Sequence, residues 1–86
     1  MGALGRAFER REIRFAPGSE RAYEGAEWRD AIVVVERGEI ELEGLHGSRI
    51  SFASGAVLFL CGLPLRLLRN RGAVPAVLSA ISRPHR

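Results

Sequence analysis

The sequence predicts an all-β domain, either a sandwich or a small barrel. Apolar residues recur mostly with period two, and glycine-containing turn signals separate the short runs at intervals of about 8 to 12 residues. This spacing is typical of compact antiparallel folds. With 86 residues, the chain forms one domain, which we place at 10–82 between an N-terminal tail, 1–9, and a C-terminal tail, 83–86.

Three runs alternate apolar and polar residues, the pattern of a strand with one buried face. They are "RREIRFA", "EIELE" and "RISFA", and in the second run three glutamates form the polar face. Gly38 stands between the "VVV" run and "EIELE", where we expect the turn of a hairpin. "PLRLLRN" fits a strand or a short helix. The predicted inward residues of the alternating strands are Ile13, Phe15, Ile40, Leu42, Ile50 and Phe52.

Three other runs are apolar on both faces: "AIVVV", "AVLFL" and "AVLSAI". Such a strand must be covered on both sides. One cover is the barrel interior, and the other is a second sheet or another subunit. Because a chain of this length buries only about 60% of its unfolded surface, we expect a homodimer formed through these strands. The alternation of "RREIRF" would also suit a strand added to the partner's sheet.

The glycine spacing carries a family resemblance. The frame from Gly18 to Gly38 resembles the first conserved motif of the cupin family, G-x5-H-x-H-x4-E-x6-G. The frame from Gly55 to Asn70 resembles its second motif, G-x5-P-x-G-x2-H-x3-N. The resemblance spans about 13–82 and implies a small antiparallel β-barrel of jelly-roll type.

The positions that bind metal in this family are substituted here. The resemblance places Glu24, Ala26, Ala31 and Arg66 where metal-binding cupins carry three histidines and a carboxylate. A guanidinium offers no lone pair to a metal, so we predict no metal and no cofactor. The phrase "GLPL" also permits a register one residue earlier, in which Leu65 rather than Arg66 faces the barrel interior.

Four residues form the candidate ligand site. If Arg66 points inward, it faces Glu24 and receives an anionic or carboxylate ligand. Tyr23 and Trp28 flank the first motif and would line a pocket for a small molecule. In the competing interpretation, Arg66 extends into solvent at the barrel mouth, and the two aromatic residues are core or interface anchors.

Other functional classes have little support in the sequence. Cys61 is the only cysteine, which excludes an internal disulfide, and its apolar neighbours favour a buried structural role. His46, in a turn, and His85, in the tail, are expected at the surface. The 13 basic residues are all arginine, scattered among acidic residues, with a net charge of +3; we predict no nucleic-acid partner. No apolar stretch reaches the roughly 20 residues that span a bilayer, so no membrane partner and a cytoplasmic location are expected.

The sequence thus predicts a metal-free barrel that binds a small molecule and self-associates through an apolar sheet face. Two alternatives stay open. One is a metal-independent isomerase or cyclase, in which Glu24, buried among apolar neighbours, acts as acid and base while Arg66 holds an anion. The other is a barrel filled by its own side chains that serves only as a structural or regulatory dimerisation module.

Overall fold

The computed structural model describes residues 8–83, and within them it is all-β, as predicted. No helix in this part of the chain is long and apolar enough to cross a membrane. One 3₁₀ turn occurs at Gly25–Trp28. The strands are β1 (Glu9–Phe15), β2 (Glu20–Ala22), β3 (Ala31–Arg37), β4 (Glu39–Gly44), β5 (Arg49–Ala53), β6 (Val57–Leu58), β7 (Leu65–Arg69) and β8 (Ala76–Ser82).

The strands form two four-stranded antiparallel sheets. The first sheet has the order β1-β8-β3-β6, and the second has the order β2-β7-β4-β5. The hairpin expected around Gly38 is therefore wrong, because β3 and β4 belong to different sheets. Gly38 has a φ of +70°, and a Cβ at this position would lie 2.7 Å from the carbonyl oxygen of Pro75. The chain can cross between the sheets here because glycine permits both the backbone conformation and the close contact.

The core lies between the two sheets and confirms most of the predicted inward residues. Ile13, Phe15, Ile40 and Leu42 are buried in one cluster, and Phe52 packs against it. Ile50 pairs with Leu42 and so lies on the inner face as predicted, but it is 58% exposed and does not belong to the core. It lies on β5, the edge of the second sheet, and the facing sheet ends in β6, which has only two residues.

Two predictions about individual strands are resolved. "PLRLLRN" contributes the strand β7 rather than a helix. The segment "RREIRF" pairs with β8 of its own sheet and forms that sheet's edge; its addition to a partner's sheet stays a prediction. Most of the two predicted tails lies outside the described residues.

The glutamate face of β4 is not solvated as expected. Glu41 and Glu43 are both buried, with relative exposures of 8% and 7%. Arg69, on the neighbouring strand β7, donates through Nη1 to Glu41 Oε1 at 3.0 Å and to Glu43 Oε1 at 3.2 Å, and its Nε donates to Glu20 at 2.9 Å. The hydrogen bond to the Glu20 carboxylate raises the pKa of Arg69 above its ordinary value. A guanidinium that bridges three carboxylates thus covers this outer face.

The side chain of Asn70 ties together three segments that the sheets leave separate. Its Nδ2 donates to the carbonyl oxygens of Phe15 at 3.0 Å and Val74 at 2.9 Å, and its Oδ1 accepts from the backbone N–H of Gly72 at 2.8 Å. The residue is fully buried. All three groups would lose their partner without this amide.

We therefore expect Asn70→Ala to lower the free energy of unfolding by about 3 kcal/mol, because it leaves buried backbone groups unsatisfied. Urea denaturation followed by tryptophan fluorescence measures the loss. Ser54→Ala, in an exposed turn, is the control and should change stability by less than about 0.5 kcal/mol. Equal stabilities of the two variants would contradict this role of Asn70.

The contacts of Arg69 with three carboxylates lead to a second prediction. Arg69→Ala should shift the urea midpoint to clearly lower concentration, because Glu41 and Glu43 would remain buried with fewer counter-charges. Arg14→Ala removes an equally short ion pair, 2.7 Å from Glu12, whose arginine side chain is 76% exposed. That variant should barely move the midpoint, because solvent screens exposed pairs. A shift in Arg14→Ala as large as that in Arg69→Ala would contradict the prediction.

Candidate functional site

The structure does not bring Glu24 and Arg66 together. Glu24 is exposed and immediately precedes the 3₁₀ turn. Arg66 lies on β7 with a side chain that is 61% exposed, and its Nε donates to Glu43 Oε2 at 3.0 Å. The expected Glu24–Arg66 pair is therefore replaced by a pair with Glu43 on the outer face of the second sheet.

A β-bulge explains why Arg66 points outward. Along the β4–β7 ladder, Glu43 pairs with Leu67 and Gly44 pairs with Leu65, so Arg66 is the extra residue without a partner. Leu65 packs against the buried cluster instead. Of the two registers that the sequence allowed, the structure adopts the one in which Leu65 faces inward.

Tyr23 and Trp28 act as packing residues. The hydroxyl of Tyr23 donates to the carbonyl oxygen of Leu60 at 2.6 Å, and its ring packs against the core. Trp28 is fully buried, and its indole Nε1 has no hydrogen-bond partner among the described residues. The guanidinium of Arg11 lies 5.6 Å from the centre of the Trp28 ring, which is the geometry of a cation–π contact. The 3₁₀ turn thus inserts a large aromatic side chain into the barrel.

The residues at the four family metal positions do not fit a divalent metal. Glu24 and Ala26 are exposed, Ala31 contributes only a methyl group, and Arg66 points out of the barrel. Within residues 8–83, no group of three or more histidine, cysteine, aspartate or glutamate side chains is placed to hold a metal ion. The donor chemistry at these positions therefore disagrees with the metal centre of the family.

The remaining chemically notable residues are dispersed. Cys61 is a free thiol in a half-buried position, less buried than expected. His46 is exposed in the turn between β4 and β5, as predicted. His85 lies outside the described residues.

The most distinctive surface is the outer face of the first sheet, where an apolar patch is formed by Ile32, Val34, Val57, Phe59 and Ile81. The ladders place Ile32 opposite Ile81, and Val34 opposite Val57, on one face of the sheet. Ile32 is 50% exposed, Val57 is 65% exposed and Phe59 is 58% exposed. This face carries the outward residues of all three strands that the sequence identified as apolar on both sides.

A cleft with several charged side chains occupies the opposite end of the same face. It has a volume of about 470 Å³, and its guanidinium groups belong to Arg10, Arg14 and Arg37. Arg37 was not among the predicted site residues. Its sequence signal is weak, because "VERG" looks like an ordinary exposed turn until the pairing of β3 is known.

Comparison with known proteins bears on the fold. No protein-family model and no curated protein matches the sequence. Among solved structures, a Cupin 2 conserved barrel domain protein from Salinispora arenicola CNS-205 is 24% identical, with a TM-score of 0.69, over 87% of this chain and 61% of that one.

Two further solved structures are similar. A sugar phosphate isomerase of the cupin superfamily from Silicibacter pomeroyi is 24% identical, with a TM-score of 0.67, over 99% of this chain and 57% of that one. ToxT from Vibrio cholerae O395, bound to (E)-4-(8-methylnaphthalen-1-yl)but-3-enoic acid, is 12% identical, with a TM-score of 0.73, over 91% of this chain and 31% of that one. The chain spans less than two thirds of each of these three proteins. The two-sheet topology and these likenesses together show that this chain has the cupin fold, a small antiparallel β-barrel of jelly-roll type.

Proposed function

We propose that this protein is a metal-free barrel module that self-associates as a homodimer through the apolar patch. The observation that carries the proposal is the set of large apolar side chains left exposed on one sheet face, with Ile32, Val57 and Phe59 each at least half exposed. Contiguous apolar surface of this kind is typical of interaction sites. The partner that we propose is a second copy of the same chain.

The charges at one end of the patch favour self-association. Asp30 and Arg83 line the same shallow groove as Ile32, Phe59 and Ile81. In a two-fold dimer the same patch faces itself, so a residue on one copy meets a different residue on the other. A carboxylate and a guanidinium beside one apolar groove therefore supply complementary charges for an antiparallel arrangement of the two sheets.

Ligand binding inside the barrel has less support from the geometry. The interior is packed with fully buried side chains, among them Trp28, Ile40 and Leu60, and small barrels are often filled by their own residues. ToxT was crystallised with a small carboxylic acid, but the present chain corresponds to less than a third of it. The dimerisation module is therefore the better-supported alternative.

Catalysis of the isomerase or cyclase type also has little support. That hypothesis requires Glu24 to be buried, and Glu24 is exposed. It further requires Arg66 to hold an anion beside Glu24, whereas Arg66 is paired with Glu43. The likeness to a sugar phosphate isomerase concerns the fold and covers 57% of that protein.

The decisive experiment is Ile32→Asp with size-exclusion chromatography and light scattering. Placing an uncompensated carboxylate in the interface should raise the dimer dissociation constant by at least about 100-fold, which corresponds to roughly 3 kcal/mol. The wild type should be a dimer at micromolar concentration.

Ile50→Asp provides the matched control. Ile50 is exposed to a similar degree, 58% against 50% for Ile32, but lies on the second sheet. This variant should dimerise as the wild type does. A monomeric wild type at 100 micromolar, as an order-of-magnitude concentration for weak dimers (about 5 to 6 kcal/mol of binding free energy), would refute the proposal, as would equal weakening by both variants.

A further inference from the structure

The cleft on the outer face borders the apolar patch but is lined by different residues. Val77 in the cleft is four positions from Ile81 in the patch, about 13 Å along β8. Arg10, at the near end of the cleft, pairs directly with Ile81. The cleft volume of about 470 Å³ lies within the range of roughly 300 to 1,000 Å³ of small-molecule sites. Nothing in the dimer proposal depends on it.

Three guanidinium groups and two carboxylates line the cleft. Two of the guanidinium groups form ion pairs with the carboxylates, and the third has no carboxylate partner within residues 8–83. Arg10 pairs with Glu36 at 3.5 Å, and Arg14 pairs with Glu12 at 2.7 Å. The hydrogen bond from Arg14 lowers the pKa of the Glu12 carboxyl, so Glu12 stays ionised and paired. Arg37 forms no side-chain hydrogen bond and no ion pair among the described residues. The cleft therefore holds a single uncompensated positive charge.

A β-bulge at the end of β3 sets the position of Arg37. Along the β3–β8 ladder, Val35 pairs with Leu78 and Arg37 pairs with Val77, so Glu36 is the extra residue. Such a bulge changes the direction of the side chains that follow it. Glu36 is held by the Ser79 hydroxyl, which donates to its Oε2 at 2.8 Å.

The apolar floor of the cleft consists of Val74, Pro75 and Val77. Two contacts hold this floor against the segment that carries Arg37. Asn70 donates to the Val74 carbonyl oxygen at 2.9 Å, and Gly38, the residue after Arg37, approaches Pro75 so closely that a Cβ would lie 2.7 Å from its carbonyl oxygen. The floor and the backbone next to Arg37 are therefore held in position before any ligand arrives, which reduces the entropy cost of binding.

From this geometry we infer that the cleft binds a small organic monocarboxylate. The carboxylate is received by the planar fork of Arg37, which suits two parallel hydrogen bonds. The hydrocarbon part of the ligand rests on the floor of Val74, Pro75 and Val77. A monoanion matches the single excess charge, whereas a dianion such as phosphate would leave a charge uncompensated and gain nothing from the apolar floor.

The test is titration of the ¹⁵N-labelled full chain with sodium benzoate, followed by two-dimensional NMR. Saturable shifts should appear at the amides of Arg37, Gly38, Val74 and Val77. Arg37→Gln should weaken binding at least about tenfold, the loss expected for a charge-assisted pair. Arg29→Gln removes the same charge from another exposed position and should keep the wild-type affinity. Benzamide, the neutral analogue, should bind at least about tenfold more weakly than benzoate.

Several results would overturn the inference. They are equal weakening by Arg37→Gln and Arg29→Gln, equal affinity for benzoate and benzamide, and shifts centred on Trp28 and the barrel interior instead of the cleft. The benzoate affinity of Ile32→Asp should stay close to that of the wild type, because Ile32 does not line the cleft. Failure of the dimer proposal is read from light scattering and failure of this one from the titration, so the two remain distinguishable.

Discussion

The architecture depends on close contact between two of the places where the chain crosses from one sheet to the other. Gly38 joins β3 of the first sheet to β4 of the second, and the segment 70–75 joins β7 of the second sheet to β8 of the first. These crossings touch where Gly38 meets Pro75 and Ala76. Because a Cβ at position 38 would collide with backbone atoms, glycine sets how closely the sheets close at this end. Asn70 then supplies the hydrogen bonds that the strands cannot provide there.

The two outer faces of the barrel are built from different interactions. The second sheet is covered by a network in which Arg69 bridges three carboxylates and Arg66 and Arg49 approach Glu43. These long side chains shield the strand backbone and remain compatible with water. The first sheet instead presents aliphatic and aromatic side chains over much of its outer face. A barrel with one ionic and one apolar face has a defined orientation towards any partner, because the two faces are not interchangeable.

Much of the fold was predictable from the sequence because period-two alternation reports burial directly. Ile13, Phe15, Ile40 and Leu42 face inward as the pattern requires. The pattern failed where burial depends on a neighbouring strand. Ile50 has the same alternation, but the facing sheet is too short to cover it, and Glu41 and Glu43 are polar residues covered by arginines from β7.

The candidate site was less predictable, because it depends on two β-bulges. A bulge shifts the side-chain alternation by one residue. No residue type in a single sequence predicts where a bulge occurs. The first bulge directs Arg66 outward and leaves Leu65 against the core, which separates the pair expected from the motif frame. The second gives Arg37 its place beside the Val74–Val77 segment. The spacing of a motif gives only the number of residues between two positions. The direction of a side chain depends on how its strand pairs with the neighbouring strand.

The edges of the first sheet have a consequence for how the protein behaves at high concentration. One edge, β6, has only two residues, and the other, β1, carries Arg10, Glu12 and Arg14 on its outer face. Short edges and charged edges both resist lateral pairing of strands between molecules. The exposed apolar side chains of the first sheet's patch thus lie on its outer face and not along these two edges. Lateral strand pairing of the kind that builds fibrils is therefore disfavoured at both edges of this sheet.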